Sequence, residues 1–273
     1  MALNTDHIKW FRDSSPYIDA HRDKTFVVCI ASDALQSENF PNVICDIALL
    51  DSLGAKVVVV FGGDHKVKAV LEANGSNWLQ AGGRRITNAI QIETVTSVLG
   101  QMYADLSARF SASTPESPAK RRAITTSTGN FIRAKPLGIK NGVDHQLSGL
   151  VRNINEAAIR HQLSDGSIVL IPSIGYSPSG ETFHLDVDVV AREVACALTA
   201  DKLIFMTEQA GLKDIIGNLI SEIDLSDTRT GDISLEPLPE KLLDHCDQAC
   251  RKGVARCHII SFATDGALLE ELF

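Results

Sequence analysis

The chain has no apolar run near the ~18 residues that a bilayer-spanning helix needs. Its first residues, Met1 to Arg12, lack the basic-then-apolar order of an export signal, so a cytoplasmic location is expected. It also lacks a basic excess. A net charge of −8 and a pI near 5.5 argue against nucleic acid or an anionic membrane as partner. The six cysteines (Cys29, Cys45, Cys196, Cys246, Cys250, Cys257) are scattered, several in apolar surroundings, and read as reduced core thiols rather than disulfides. His245, Cys246 and Cys250 come nearest to a ligand set, but Cys-x3-Cys with one histidine on a helix is poor zinc spacing. No metal and no cofactor is expected. What remains is an ordinary globular composition, 44% apolar and 22% charged, in 273 residues, enough for one large α/β domain or two small ones.

The stretch from Lys24 to Lys68 organises the rest. Residues 25–31 form a short, β-branched apolar run that reads as a strand buried on both faces. After the polar turn at Ser32 and Asp33, the apolar residues Val43, Ile44, Ile47, Leu50 and Leu53 recur at helical spacing, and Gly54 supplies a left-handed stop. A second buried strand over residues 56–61 runs into Gly62 and Gly63. Strand, helix, strand and a Gly-Gly turn make a βαβ unit with parallel strands, whose ligands collect at the strands' carboxyl ends. Such a turn either offers backbone N–H groups to an anion or is a tight turn and nothing more.

The remainder continues the α/β pattern. An amphipathic helix is expected over residues 5–21, short helices at 66–73, 154–163 and 240–252, and longer ones at 88–110 (N-capped by Thr87 or Asn88) and 187–199. Further buried strands are expected at 168–172, 201–207 and 254–261, and a hairpin over 129–152. Residues 175–184 read as a loop over the carboxyl edge, and the Ser/Pro-rich stretch 111–120 as a loop rather than a domain boundary.

Pro16-Tyr17-Ile18 and residues 24–28 resemble the opening of the arginine-sensitive members of the amino-acid kinase fold. Gly129-Asn130-Phe131, Pro136-Leu137-Gly138, Gly142-Val143-Asp144 and Ser148-Gly149 narrow the resemblance to the N-terminal, kinase-like domain of bacterial N-acetylglutamate synthase. The resemblance implies a three-layer α/β/α sandwich with a mainly parallel central sheet, as in carbamate kinases. It implies an N-terminal helix over residues 1–22 that joins subunits into a homo-oligomer, and a kinase-like domain over 23–273. L-Arginine is the implied effector, held by Tyr17, His258 and Glu271. Glutamate is a natural partner for a guanidinium. Arg85-Ile86-Thr87 resembles the segment whose arginine grips a substrate carboxylate in acetylglutamate kinases, a task suited to its planar fork. Gly62, Gly63, His184 (in place of an asparagine) and Asp188 would complete a vestigial substrate site. Each residue also has a plainer reading: Arg85 in a surface ion pair, Asp188 as a helix-dipole partner, Tyr17 as packing.

Phosphoryl transfer needs cations around the moving group. The family's first-strand lysine and Gly-Gly are replaced by residues 29–33, Asp64 follows the second glycine pair, and the third phosphate-touching segment finds no match across residues 237–242. The chain is therefore expected to have neither kinase activity nor an acetyltransferase domain, and to stop before the strand that completes the arginine pocket. A regulatory, arginine-sensing domain of a synthase converting acetyl-CoA and glutamate to N-acetylglutamate is the leading expectation. An acetylglutamate-kinase-like phosphotransferase and a ligand-free oligomerisation scaffold are the rivals.

Overall fold

A computed structural model describes residues 19–112, 124–209, 211–212, 218–220, 222–223 and 237–272. Tyr17, most of the helix expected over 5–21, and nearly all of the loop at 111–120 lie outside the described residues, although residues 19–21 are helical.

Strands β1 (Thr25–Ile30) and β2 (Lys56–Phe61) flank helix α1 (Phe40–Ser52), and they pair in parallel from Thr25 with Lys56 to Ile30 with Phe61. Helix α2 (Asp64–Ala73) follows, then the small hairpin β3 (Leu79–Ala81) and β4 (Arg84–Ile86), and the long α3 (Ala89–Ser111). Asn88 starts α3 with a reciprocal cap: its side chain accepts from the Gln91 N–H while Gln91 returns a bond to the Asn88 N–H. The chain continues through β5 (Thr125–Ser127), β6 (Ile132–Pro136), the two-residue strands β7 (Ile139–Lys140) and β8 (Val143–Asp144), and β9 (Gly149–Ile154). Then come α4 (Glu156–Ser164), β10 (Ser167–Pro172), β11 (Ile174–Tyr176), β12 (Thr182–His184), α5 (Val187–Leu198) and β13 (Lys202–Thr207). The last elements are α6 (Pro237–Arg251), β14 (Arg256–Ser261) and the single turn α7 (Ala267–Glu270).

Six strands form one wholly parallel sheet in the order β14-β13-β1-β2-β10-β5. A strand's side chains alternate between faces. Phe26, Val28, Ile30, Ile204 and Ile260 therefore meet α1, α2 and α3 on one side. Val27, Cys29, Leu203 and Phe205 meet α4, α5 and α6 on the other. Two apolar layers around one sheet make the three-layer α/β/α sandwich. Each fully buried Val, Leu, Ile or Phe side chain contributes about 1.5–3 kcal/mol relative to exposure.

A second sheet, β12-β11-β6-β9, stands at the carboxyl edge of the first. Residues 175–184 are thus not the plain loop expected from sequence: β11 and β12 pair antiparallel and seat His184 opposite Ile174. Ile154 closes β9 by pairing with Ile132, so α4 starts two residues later than the apolar pattern suggested. No helix among the described residues is long and apolar enough to cross a membrane.

Candidate functional site

At the carboxyl ends of β1, β2 and β13 lies a cavity of ≈ 360 Å³ whose walls include Cys29, Gly62, Asp64, Asp188, Phe205 and Leu242. Gly62 has to be glycine for a packing reason: an added Cβ would sit 2.9 Å from the Val187 Cβ at the start of α5. Its N–H is already given to the Ile30 carbonyl at 3.1 Å. Gly63 caps α2, and the first residue of that helix, Asp64, puts a carboxylate at the positive end of the helix.

Asp64 meets Arg85 there. The Arg85 Nη1 donates to Asp64 Oδ1 at 2.8 Å and to the Leu185 carbonyl at 3.1 Å, and lies 2.7 Å from His184 Nε2. His184 Nε2 also lies 3.1 Å from Asp64 Oδ1, so it faces a donor and an acceptor at once: it accepts from Arg85 when the ring proton is on Nδ1 and donates to Asp64 when the proton is on Nε2. From Nδ1 a relay of hydroxyls leads home: Thr87 Oγ1 at 3.5 Å, Ser148 Oγ 3.0 Å beyond, and the Ser148 hydroxyl donating to the Arg85 carbonyl at 2.9 Å. His145 Nδ1 adds a bond to the same carbonyl at 2.9 Å. Burial and then the neighbouring guanidinium hold the His184 pKa below its ordinary value, which agrees with a neutral ring. Burial alone would raise the Asp64 carboxyl, but the Arg85 charge and the contact with His184 together outweigh it and the net shift is downward. Arg85 is only 14% exposed and is neutralised from within the chain.

Asp188 stands apart from that cluster, in the first turn of α5, where the N-cap is Asp186 rather than Asp188. Lys241 of α6 bridges the two, 3.0 Å from Asp186 Oδ2 and 3.0 Å from Asp188 Oδ2. Burial pushes the Asp188 carboxyl up and Asp186 pushes it further, while Asp186 itself, against its own burial, is drawn down by Lys241. Residues 237–242, which match no phosphate-touching segment in sequence, place Lys241 beside Asp186 and Asp188. Sequence reasoning passed it over because a lone lysine in an amphipathic helix carries no motif.

The other predicted pair lies on the edge strand. His258 on β14 and Glu271 just after α7 are joined, Nδ1 to Oε1, at 2.8 Å. A carboxylate only accepts, so the proton is on Nδ1 and Nε2 is a bare lone pair. That Nε2 is buried with no partner among the described residues. Burial lowers the pKa of His258, with Glu271 opposing and Lys202 assisting. His258 sits beside Ile204, and Arg256 beside Lys202, so Lys202 and Arg256 face the same side of the sheet as His258. Burial and then the repulsion of Arg256 lower the Lys202 pKa, with Glu271 opposing. Lys202 is a second residue no sequence motif singled out; its placement follows from strand pairing. Among the described residues no group of three or more His, Cys, Asp or Glu side chains is arranged to hold a metal ion.

The chain as a whole is similar to known proteins. An amino-acid acetyltransferase of Ectopseudomonas mendocina (strain ymp) is 41% identical over 269 residues, spanning 98% of this chain and 62% of its own length. That of Escherichia fergusonii is 38% identical over 276 residues, spanning 99% of this chain and 62% of its own. The chain thus covers less than two thirds of the length of these relatives. N-Acetylglutamate synthase from Neisseria gonorrhoeae, solved with coenzyme A and L-arginine, superposes with a TM-score of 0.90 at 30% identity, over 97% of this chain and 62% of that one. Giardia carbamate kinase shares the fold, with a TM-score of 0.64 at 16% identity. With residues 24–261 matching the amino acid kinase family and the parallel three-layer sandwich in place, the chain belongs to that family.

Proposed function

We propose that this chain is a regulatory, L-arginine-sensing domain of N-acetylglutamate-synthase type, cytoplasmic, in which residues 1–22 contribute the contact between subunits and residues 23–273 the sensing domain. The parent reaction, transfer of acetyl from acetyl-CoA to L-glutamate, is assigned to no residue of this chain. The observation that carries the reading is the His258–Glu271 pair: a carboxylate at the surface, 45% exposed, backed by a buried histidine with an unused acceptor. A carboxylate oxygen and an imidazole lone pair both ask for N–H donors, and the guanidinium and ammonium of arginine offer only donors. The N-acetylglutamate synthase of Neisseria gonorrhoeae, 30% identical and solved with L-arginine bound, supports the same ligand class. Phosphoryl transfer is disfavoured, because Asp64, Asp186 and Asp188 outnumber the nearby cations where phosphates would sit.

A thermal melt with and without L-arginine, with lysine and citrulline as controls, tests this. At ~100 times its dissociation constant, arginine should stabilise the fold by ~2.7 kcal/mol. A shift with arginine alone, lost in Glu271→Ala, is the expected result. Absence of any shift would leave the ligand-free scaffold.

A further inference from the structure

Strand β14 turns His258 to the face of α1, so its neighbour Cys257 turns to the face of α6. There the Cys257 Sγ lies 3.6 Å from the Cys250 Sγ, on the last turn of α6, and 3.7 Å from the Cys246 carbonyl oxygen, to which it can donate. Both thiols are partly accessible, whereas Cys246 is buried. Two thiols at contact distance on different elements, neither bonded to a cation, can exchange their protons for a bond to one another.

We propose that Cys250 and Cys257 form a reversible dithiol–disulfide couple, a modification site that ties the last turn of α6 to β14 when a low-molecular-weight disulfide is present. The Cys250 thiolate attacks the reagent's S–S bond, one reagent thiolate leaves, and a mixed disulfide forms. Cys257 loses its proton to solvent and attacks Cys250 Sγ, and the second reagent thiolate leaves. The protein loses two electrons and two protons, and the reagent disulfide becomes two thiols. Burial and the adjacent Cys257 push the Cys250 thiol up to about 12. A side-chain hydrogen bond with Cys246, together with burial, pushes the Cys257 thiol up as well. The pair therefore rests as thiols near neutrality, and its oxidation should quicken ~tenfold per pH unit below the thiol pKa, following the thiolate fraction.

Trypsin cuts after Lys241, Arg251, Lys252 and Arg256, so Cys250 and Cys257 fall in separate peptides that only a disulfide joins. The whole chain is treated with oxidised glutathione at pH about 8.5, where an ordinary thiol is half ionised, then alkylated, digested and weighed. The expected product joins residues 242–251 to the peptide beginning at Cys257, and dithiothreitol undoes it. Cys250→Ser should abolish the link even though Cys246 remains in the same peptide, and Cys196→Ser should leave it intact. Glutathione adducts on both cysteines with no joined peptide, or a link that survives Cys250→Ser, would overturn the proposal. In the wild-type digest, fragment ions from the residues between Cys246 and Cys250 show which of the two carries the link, so a variant that fails to fold leaves the test standing.

Discussion

Two buried histidines of this chain share a lowered pKa but have different surroundings. His184 has a neighbour at each ring nitrogen and sits in a closed circuit with Arg85, Asp64, Thr87 and Ser148. Among the described residues His258 has one hydrogen-bond partner, the half-exposed Glu271, and one orphan nitrogen. A fully satisfied polar network leaves a ligand nothing to gain, because each new bond must replace an old one. An incompletely satisfied one stores a desolvation penalty that a suitable ligand can relieve. Arg85 and His184, expected from sequence at a vestigial substrate site, are held in a closed network, and the sheet-edge pair is the one left open.

The largest expected effect comes from opening the closed network. Asp64→Ala should cost about 2–4 kcal/mol, because Arg85, 14% exposed, is left charged with no carboxylate. The loss is read as a fall in urea midpoint. The freed guanidinium should then let N-acetylglutamate stabilise the variant but not the wild type. An unchanged midpoint would mean that the network is not structural.

Glu271→Ala is the converse. Its ion-pair contribution should be about 1 kcal/mol or less at this exposure, so the unliganded melt should barely move while the arginine shift disappears. If the unliganded midpoint fell as far as in Asp64→Ala, the contrast between the two sites would be lost.

Acid separates the histidines next. Both folded pKa values lie below the ordinary 6.5, so the unfolded chain takes up protons that the folded chain refuses. Stability is complete above about pH 6.5 and falls with further acidification, each histidine adding a slope of up to ~1.4 kcal/mol per pH unit. His258→Gln should flatten that slope, as measured by denaturant midpoints across the window.

The smallest effect belongs to Asp46 of α1, raised to about 6 by burial and then by Asp265. Here the sign reverses. The folded state holds the proton longer, so stability is lost as pH rises from near 3.8 to about 6. Asp46→Asn should gain about 1 kcal/mol or less at neutral pH, discounted for solvent screening, and nothing below the carboxyl's ordinary pKa.

Much of the sandwich was legible before any coordinates. The β-branched runs of β1, β2, β10 and β13 can only be strands buried on both faces, and the helical spacing over α1 and α3 is unambiguous. Less legible were places where short segments pair out of sight: β11 and β12 are three residues each, too short to alternate convincingly. The pairing of His258 with Glu271 was readable only through resemblance, since thirteen residues of spacing say nothing of proximity by themselves.

The order of strands and helices and the two apolar faces of the sheet follow from local periodicity and backbone sterics, which act over a few residues. Which charge meets which does not. Arg85 finds Asp64 across 21 residues and His184 across 99, and Lys241 finds Asp188 across 53. Those meetings were decided by the crossovers that bring loop ends to one sheet edge, because a side chain's electrostatic partner is fixed by distance in space.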